Sequence, residues 1–349
     1  MSSTVKHKEK STTAAPARGG GGGLGGLLRL RELPVLVALV LLVLITYINN
    51  PLFLSPQGVK DLLLNATIIV ILAAGQTLLI ITRNIDLSVG SMLGLVAFGT
   101  GSIFVAMPGL PIIVVLLLGM AFGALLGMFN GFLVTAAKVP ALVITLGTLY
   151  VFRGLNNAWA GGKQYFAGDR PEAFGALSVD TVLGFPIITL LAIAVVAAVA
   201  VYMAGTRPGR DLYAIGSDPE AAKVLGIKVS QRVFLAFLAN GALAGLAGVL
   251  YASRFNSVGA TTGSGMELDV VAAAVVGGVA IFGGSGTVAG AALGALLLTT
   301  ITSSLTALRV DKFWQQAIVG ILILTAIVID RLASLRTARK LRISEARNV

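Results

Sequence analysis

The sequence has no cysteine and one histidine, His7. A disulfide frame, a zinc cluster and a cysteine nucleophile are thereby excluded. A Ser/His/Asp triad could draw only on a histidine in a polar N-terminal stretch. Charge is scarce as well: 12% of the 349 residues are Asp, Glu, Lys or Arg, 56% belong to the hydrophobic class, and the mean hydropathy is +0.92. Soluble domains carry about a quarter charged residues. A soluble enzyme, a nucleic-acid-binding domain and a disordered scaffold are therefore poor descriptions, and nucleic acid is not an expected partner. The chain reads as an all-α polytopic membrane protein whose net charge of +11 needs a topological explanation first.

Nucleotide motifs are missing too. Gly20 to Gly25 fits G-x-G-x-x-G only because the stretch is low in complexity, and no strand precedes it. Gly161-Gly162-Lys163-Gln164 lacks the first glycine and the Ser/Thr of a phosphate-binding loop. The chain itself is expected to bind no cofactor, and any ATP must be hydrolysed by another subunit.

What the sequence does have is long apolar runs. A bilayer core takes roughly 20 helical residues to cross, and runs near that length recur at 33–48, 62–82, 88–106, 111–136, 140–157, 182–204, 232–252, 268–282, 287–306 and 313–330. About ten transmembrane helices are expected, in a domain spanning 33–333. It lies between a disordered cytoplasmic tail at 1–32 and a basic cytoplasmic tail at 334–349. With the N-terminus inside, 19 of the 26 Lys and Arg fall on cytoplasmic segments and 7 outside. That bias orients both termini inward and adds attraction to anionic membrane lipid. Within the spans, Gly119, Gly123, Gly127 and Gly131 recur at intervals of four, as do Gly286, Gly290 and Gly294, with Gly241 and Gly245 as a shorter pair. Such stripes let helix backbones approach closely in lipid.

Polar groups in apolar runs are costly unless they meet partners or water. Asn65, Gln76, Asn84, Asp86, Asn130, Asn156 and Asn240 are therefore the candidate substrate-pathway residues. Asp86 stands between two expected spans, where it can cap the next helix or pair with Arg83. Glu267 and Asp269 begin the eighth span in the same manner. The carboxylates near the spans, Asp61, Asp86, Glu267, Asp269 and Asp330, all fall at expected span ends, which argues against an ion-coupled carrier. The longest cytoplasmic connection, 205–232, contains Ser217 followed by Glu220, a capping-box spacing, with Pro219 in the first turn and Gly226 as a left-handed stop. A helix of about two turns is expected there, with Ala221, Ala222, Val224 and Leu225 available for a cytoplasmic partner. Outside, Lys163, Arg170 and Arg254, among charges of both signs, suit docking of a binding protein.

Three separated strings resemble one family: Gly75-Gln76-Thr77 through Asn84-Ile85-Asp86-Leu87-Ser88-Val89-Gly90-Ser91; Gly209-Arg210-Asp211-Leu212-Tyr213-Ala214-Ile215-Gly216 leading to Glu220-Ala221-Ala222 and Gly226; and Glu267-Leu268-Asp269 through Gly277-Gly278 and Gly283-Gly284-Ser285-Gly286. Over about residues 33–333 the chain resembles the permease subunits of ribose/xylose-type ABC sugar importers, of type II-like architecture. The resemblance implies a second permease copy, as homodimer or heterodimer. It also implies two cytoplasmic ATP-binding subunits that use ATP and Mg, and an extracytoplasmic sugar-binding protein. Ser217, Glu220, Ala221, Ala222 and Gly226 would then form the ATPase-coupling segment. Many relatives carry two glycines where Arg83-Asn84 stand here, and this pair resembles the rhamnose branch. The expected function is import of a monosaccharide, rhamnose first, by alternating access in the bacterial inner membrane. Permeases for autoinducer-2, nucleosides or branched-chain amino acids are the alternative, and a stand-alone secondary carrier is a more distant one.

Overall fold

A computed structural model describes residues 32–311 and, beyond them, Trp314, residues 316–318, Gly320, Ile321, Leu324 and Thr325. The two expected tails and most of the expected tenth span, 313–330, lie outside the described residues. Twelve helices occupy 32–311: α1 (Leu33–Asn49), α2 (Pro56–Ile81), α3 (Val89–Ala106), α4 (Ile112–Ala137), α5 (Ala141–Ala160), α6 (Glu172–Val179), α7 (Ile187–Gly205), α8 (Arg207–Ser217), α9 (Pro219–Val224), α10 (Val229–Arg254), α11 (Met266–Val276) and α12 (Val288–Ala307). Of these, α2, α3, α4, α7, α10 and α12 are long and apolar enough to cross a membrane. The chain is a mostly helical polytopic membrane protein, as its sequence predicts.

Proline sets where these helices begin. Pro34, Pro56, Pro208 and Pro219 sit in first turns, and Pro111, Pro140, Pro171 and Pro186 occupy the residue before the first. A missing N–H costs nothing at those positions, whereas in a helix interior it would break the hydrogen-bond ladder. Side-chain caps reinforce the starts: Ser55 accepts from Gly58 N, and Thr287 accepts from Gly290 N.

The bundle has two ends. At one, α8 and α9 project beside the end of α2 and the loop 277–287. At the other, β1 (Tyr165–Phe166) pairs antiparallel with β4 (Ser257–Val258), and β2 (Thr181–Val182) forms a hairpin with β3 (Phe185–Pro186). Helix α2 runs through the middle, with Leu72, Leu79 and Ile80 buried. Helices α4 and α10 cross antiparallel along the expected glycine stripe. A Cβ on Gly127 would lie 2.9 Å from the Gly241 Cα, and one on Gly123 would collide with the Gly241 carbonyl.

Three departures from the sequence expectation matter for the site. The eighth span, expected over 268–282, holds only the 11-residue α11. At 1.5 Å per residue this is about 16 Å, half a bilayer core. Residues 277–287 instead fold as a loop, with Gly278, Gly283 and Gly284 at φ +88°, +83° and +75°. The left-handed region these torsions occupy is open mainly to glycine. Helix α8 is a second departure: two glycines and a proline argue against a helix over 207–217, yet Gly209, Leu212, Ile215 and Gly216 form a buried face against the neighbouring elements. Tertiary packing overrides weak propensity there. The third is the 153–181 segment, expected outside the membrane as a charged connection, which holds the end of α5, then β1 and α6, and runs into the β2–β3 hairpin at the start of the expected sixth span.

Close packing of α4 on α10 gives opposite signs for two otherwise similar substitutions. Gly123→Ala should lower the thermal midpoint of the purified chain in detergent, because a methyl group meets backbone at once. Gly147→Ala, where a Cβ meets nothing within 4 Å, should raise it slightly, by the roughly 0.5–1 kcal/mol that alanine gains over glycine in a helix.

Candidate translocation site and coupling junction

Three of the sequence candidates converge. Asp86 is fully buried. Its Oδ1 accepts from Ser88 N at 2.8 Å and Ser88 Oγ at 2.7 Å, and its Oδ2 accepts from Asn240 Nδ2 at 3.1 Å. Asn130 Nδ2 donates to Ser88 Oγ at 2.8 Å and reaches both Asp86 oxygens at 3.4 Å. Asp86 lies between helices in sequence but not at the edge of the bundle. Asn130 is seven residues from the end of α4 and Asn240 eleven from the start of α10, or roughly 10 and 16 Å along the helix axes. The expectation that every carboxylate sits at a span end is corrected accordingly: segment 82–88 turns back into the bundle, and α3 starts inside it. The carboxylate does not pair with Arg83. Gln76 is buried on α2 with neither amide atom hydrogen-bonded, and Gly75 beside it leaves room for the Asn240 side chain, whose Oδ1 would lie 2.6 Å from a Cβ there.

Arg83 points the other way. It takes a left-handed backbone, φ +66°, and donates from Nε to Gly216 O at 2.6 Å and from Nη2 to Ser217 O at 2.7 Å. Both acceptors are terminal carbonyls of α8, where a cation is electrostatically favoured. Gly284 N donates to Ile81 O at 2.9 Å, and a Cβ on Gly216 would collide with that same carbonyl. Segments 81–83, 216–217 and 283–284 thus meet backbone to backbone. Asn84 closes the turn by donating to Thr82 O and Oγ1, each at 3.0 Å. Arg83 was absent from the sequence candidates. The signal available was a cation beside the C-terminus of an expected span, with the α8 glycine as its counterpart.

The helix expected at 217–226 is α9, but its cap is different. Ser217 is the last residue of α8, and its Oγ donates to Tyr213 O at 3.0 Å. Asp218 is the N-cap, accepting from Glu220 N at 2.9 Å and Ala221 N at 3.0 Å. Glu220 pairs with Lys223 at 2.6 Å on the surface, so the capping box of Ser217 and Glu220 does not form. An aspartate one residue nearer the helix is simply the better-placed acceptor. Gly226, at φ +78°, is the left-handed stop. Ala222 is buried and Ala221 exposed, while Val224 and Leu225 are 88% and 77% exposed at the tip. Arg232 ties α10 to α8 through Asp211 at 2.8 Å. Tyr213 donates to Gly286 O at 3.0 Å, and burial pushes its hydroxyl pKa up, keeping it a donor.

The remaining candidates lie toward the strand end. Asn156 Nδ2 donates to Ala260 O at 3.1 Å, beside Arg153 Nη1, which donates to Thr262 O at 2.5 Å. Arg153 therefore belongs to α5 and to a loop it supports, not to an outer connection. Asn65 is exposed and lines a surface cavity with Asn50, Asp61 and Thr302, apart from the Asp86 cluster. Of the docking candidates, Lys163 is exposed. Arg170 donates to the Ala252 carbonyl and to Phe255 O at 3.0 Å. Arg254 pairs with Asp61 at 3.6 Å and lies 5.7 Å from the Phe255 ring centroid. The two arginines are thus engaged by their own chain. Among the described residues, no group of three or more His, Asp or Glu side chains could hold a metal ion.

Residues 58–327 match the family described as branched-chain amino acid transport system / permease component. The chain is 40% identical over 298 residues to the autoinducer 2 import system permease protein LsrC of Enterobacter sp. (strain 638), covering 84% of this chain and 86% of that protein. It is also 40% identical over 290 residues to the protein of the same name from Escherichia coli (strain K12 / DH10B), covering 83% and 84%. The Salmonella paratyphi B protein of that name is 38% identical over 290 residues, covering 83% of each chain. No solved structure matches.

Removing the Asp86 carboxylate would leave Ser88 N, Ser88 Oγ and Asn240 Nδ2 buried without their acceptor, while Asn130 keeps Ser88 Oγ. A buried donor left without a partner costs about 1–3 kcal/mol, so Asp86→Ala should cost about 3 kcal/mol or more and lower the yield of folded protein. Adding Asn240→Ala to it should cost less than the two single losses together, since both act on one network. Denaturant titration of the four proteins in detergent measures the coupling.

Proposed function

The chain belongs to the ABC-importer permease family described as branched-chain amino acid transport system / permease component, and from that premise we propose that it conducts a small uncharged polyhydroxylated solute inward, with autoinducer 2 as the first candidate. The names carried by its relatives favour that solute over rhamnose, and the coarser reading, a non-enzymatic multi-pass subunit of an inner-membrane importer, rests on the family itself. The observation that carries the coupling half of the proposal is the α8–α9 projection. It is a short, well-capped helix presenting Val224 and Leu225 to solvent, tied at its base through Arg83 to the segment leading to Asp86.

The α8 end is assigned to the cytoplasm by the basic residues gathered on 207–232. There, two ATP-binding subunits using ATP and Mg press on α9, and α8 transmits the displacement through the Gly216–Arg83–Gly284 junction. On the outer face, a solute-binding protein delivers its cargo; exposed Lys163 remains available to it, while Arg170 and Arg254 brace the outer loops. A second permease copy, identical or homologous, completes the pathway. The secondary-carrier alternative is served poorly by Asp86, since its oxygens are already met by Ser88, Asn130 and Asn240 donors.

Two measurements test this reading. In proteoliposomes, uptake of autoinducer 2 should require the ATP-binding subunits, the solute-binding protein and ATP together, and rhamnose should not compete. Saturable counterflow by the isolated chain would sink the proposal. Val224→Asp combined with Leu225→Asp should abolish co-purification of the ATP-binding subunits, whereas Arg83→Gly, which keeps the left-handed backbone, should leave the assembled complex hydrolysing ATP while uptake per ATP falls about tenfold. Parallel loss of hydrolysis and uptake in Arg83→Gly would place its role in assembly rather than transmission.

A further inference from the structure

We infer that the loop between α10 and α11 builds a subsite for small neutral polyhydroxy solutes, contributed by this chain alone. The inference rests on the importer reading and gives it a location. A cavity of about 300 Å³ is lined by Gln164, Tyr251, Ser257, Thr261, Thr262 and Ser264, together with glycines and Met266. No charged side chain is among them.

Its depth is the first argument. Thr262 O packs against Gly94, and Gly263 against Gly90. Gly94 is twelve residues from the outer end of α3, so the loop descends roughly 18 Å below that end. Non-helical backbone at such depth is tolerated only where protein buries it or where it borders a watery cavity. Both conditions are met on opposite sides of this loop. On the protein side, Arg153 and Asn156 hold the Thr262 and Ala260 carbonyls. On the other side lies the cavity.

Its chemistry is the second. Thr262 Oγ1 accepts from Gly259 N at 3.0 Å and stabilises the loop. The side chains of Gln164, Ser257, Thr261 and Ser264 make no hydrogen bond within the described residues, so hydroxyl and amide groups remain for a ligand. Tyr251, stacked on Phe255 with centroids 4.2 Å apart, adds a rigid aromatic wall suited to the C–H face of a polyol. Glu267 and Asp269 in the first turn of α11 place negative charge just past Met266. Repulsion there disfavours phosphorylated or carboxylated solutes. Short Ser, Thr and Gln groups hydrate a neutral polyol without holding it tightly, which suits a site that must release its cargo onward.

The absence of cysteine makes the site directly readable. In the assembled complex in nanodiscs, Thr261→Cys and Ser264→Cys should be alkylated by a small neutral maleimide at least threefold more slowly in millimolar autoinducer 2 or ribose, and at the original rate in ribose 5-phosphate. Thr181→Cys, exposed and outside the cavity, should show no protection. In proteoliposomes, Thr261→Val with Ser264→Ala should cut uptake at least fivefold while ATP hydrolysis stimulated by the loaded binding protein persists. Equal labelling with and without the neutral solutes, equal protection by the phosphate ester, or parallel loss of uptake and stimulated hydrolysis would each overturn the subsite. Failure of the importer reading itself would be seen separately, as absence of ATP-dependent uptake by the unmodified complex.

Discussion

Irregular backbone inside a membrane protein must find its hydrogen bonds within the protein, and the architecture here depends on meeting that requirement three times. Segment 82–88 is met by Thr145, whose hydroxyl accepts from Leu87 N and donates to Ile85 O, each at 3.1 Å, and by Asp86, which captures Ser88 N. The 255–265 loop is held by Asn156 and Arg153. In 277–287, Ala280 N donates to Ser285 O, Gly284 N to Ile81 O, and Tyr213 supplies a hydroxyl to Gly286 O. Thr145, Arg153 and Asn156, polar residues within otherwise apolar spans, serve this purpose. Arg83 does the same at the end of α8, where it meets the Gly216 and Ser217 carbonyls.

Such breaks are possible because the unbroken helices form a stiff frame. The α4–α10 crossing brings backbones together at Gly123, Gly127 and Gly241, where dispersion contacts replace the hydrophobic driving force that lipid cannot supply. From that frame Asn130 and Asn240 reach the same carboxylate, so the 82–88 turn is fixed by two spanning helices at once. A single polar contact from one helix would leave the turn free to pivot. Two contacts on antiparallel helices fix both its depth and its direction.

The helices were legible because long apolar runs and proline starts are local signals, and each of the nine expected spans before residue 311 contains a helix, the eighth only as far as Val276. What escaped was depth. Asp86 follows Ile81 by five residues, and nothing in that spacing distinguishes a turn at the membrane edge from one folded back into the core; only the partners Asn130 and Asn240, 44 and 154 residues away, decide it. The same blindness turned α11 into a full span, since Val276 to Phe282 is apolar whether helical or looped. Residue type marks these polar positions, but sequence spacing does not say which of them meet. Asn130, Asn240 and Asp86 gather at one point, Asn156 serves a different loop, and Arg83 went unselected because its partners are backbone carbonyls, which no side-chain pattern reveals. Ser217 illustrates a smaller error of register: Asp218 competes for the same cap and sits closer to the donors.

The half-helix α11 links the proposed solute cavity to the proposed coupling junction. Its first residue, Met266, lines the outer cavity, and its last turn packs Gly277 against Gly290 and Ala291 of α12. The loop that follows is hydrogen-bonded to Ile81 and Tyr213, and through Arg83 to the end of α8. In the transmission route proposed above, a displacement of α8 would reach 277–287 through the Gly216–Gly284 backbone contact and the Arg83 and Tyr213 side chains, and α11, about 16 Å of helix, would carry it to the cavity floor. The contacts form a contiguous physical network of the sort through which distant sites bias one another. Both of its joints contain glycine, at Gly216 and Gly284 and at Gly277 and Gly290, where the absence of a side chain brings the two elements into direct backbone contact. A full-length span in place of α11 would pass through the membrane without ending at either site. The break in the eighth helix is what ends α11 beside the cavity at Met266 and beside the 277–287 junction at Gly277.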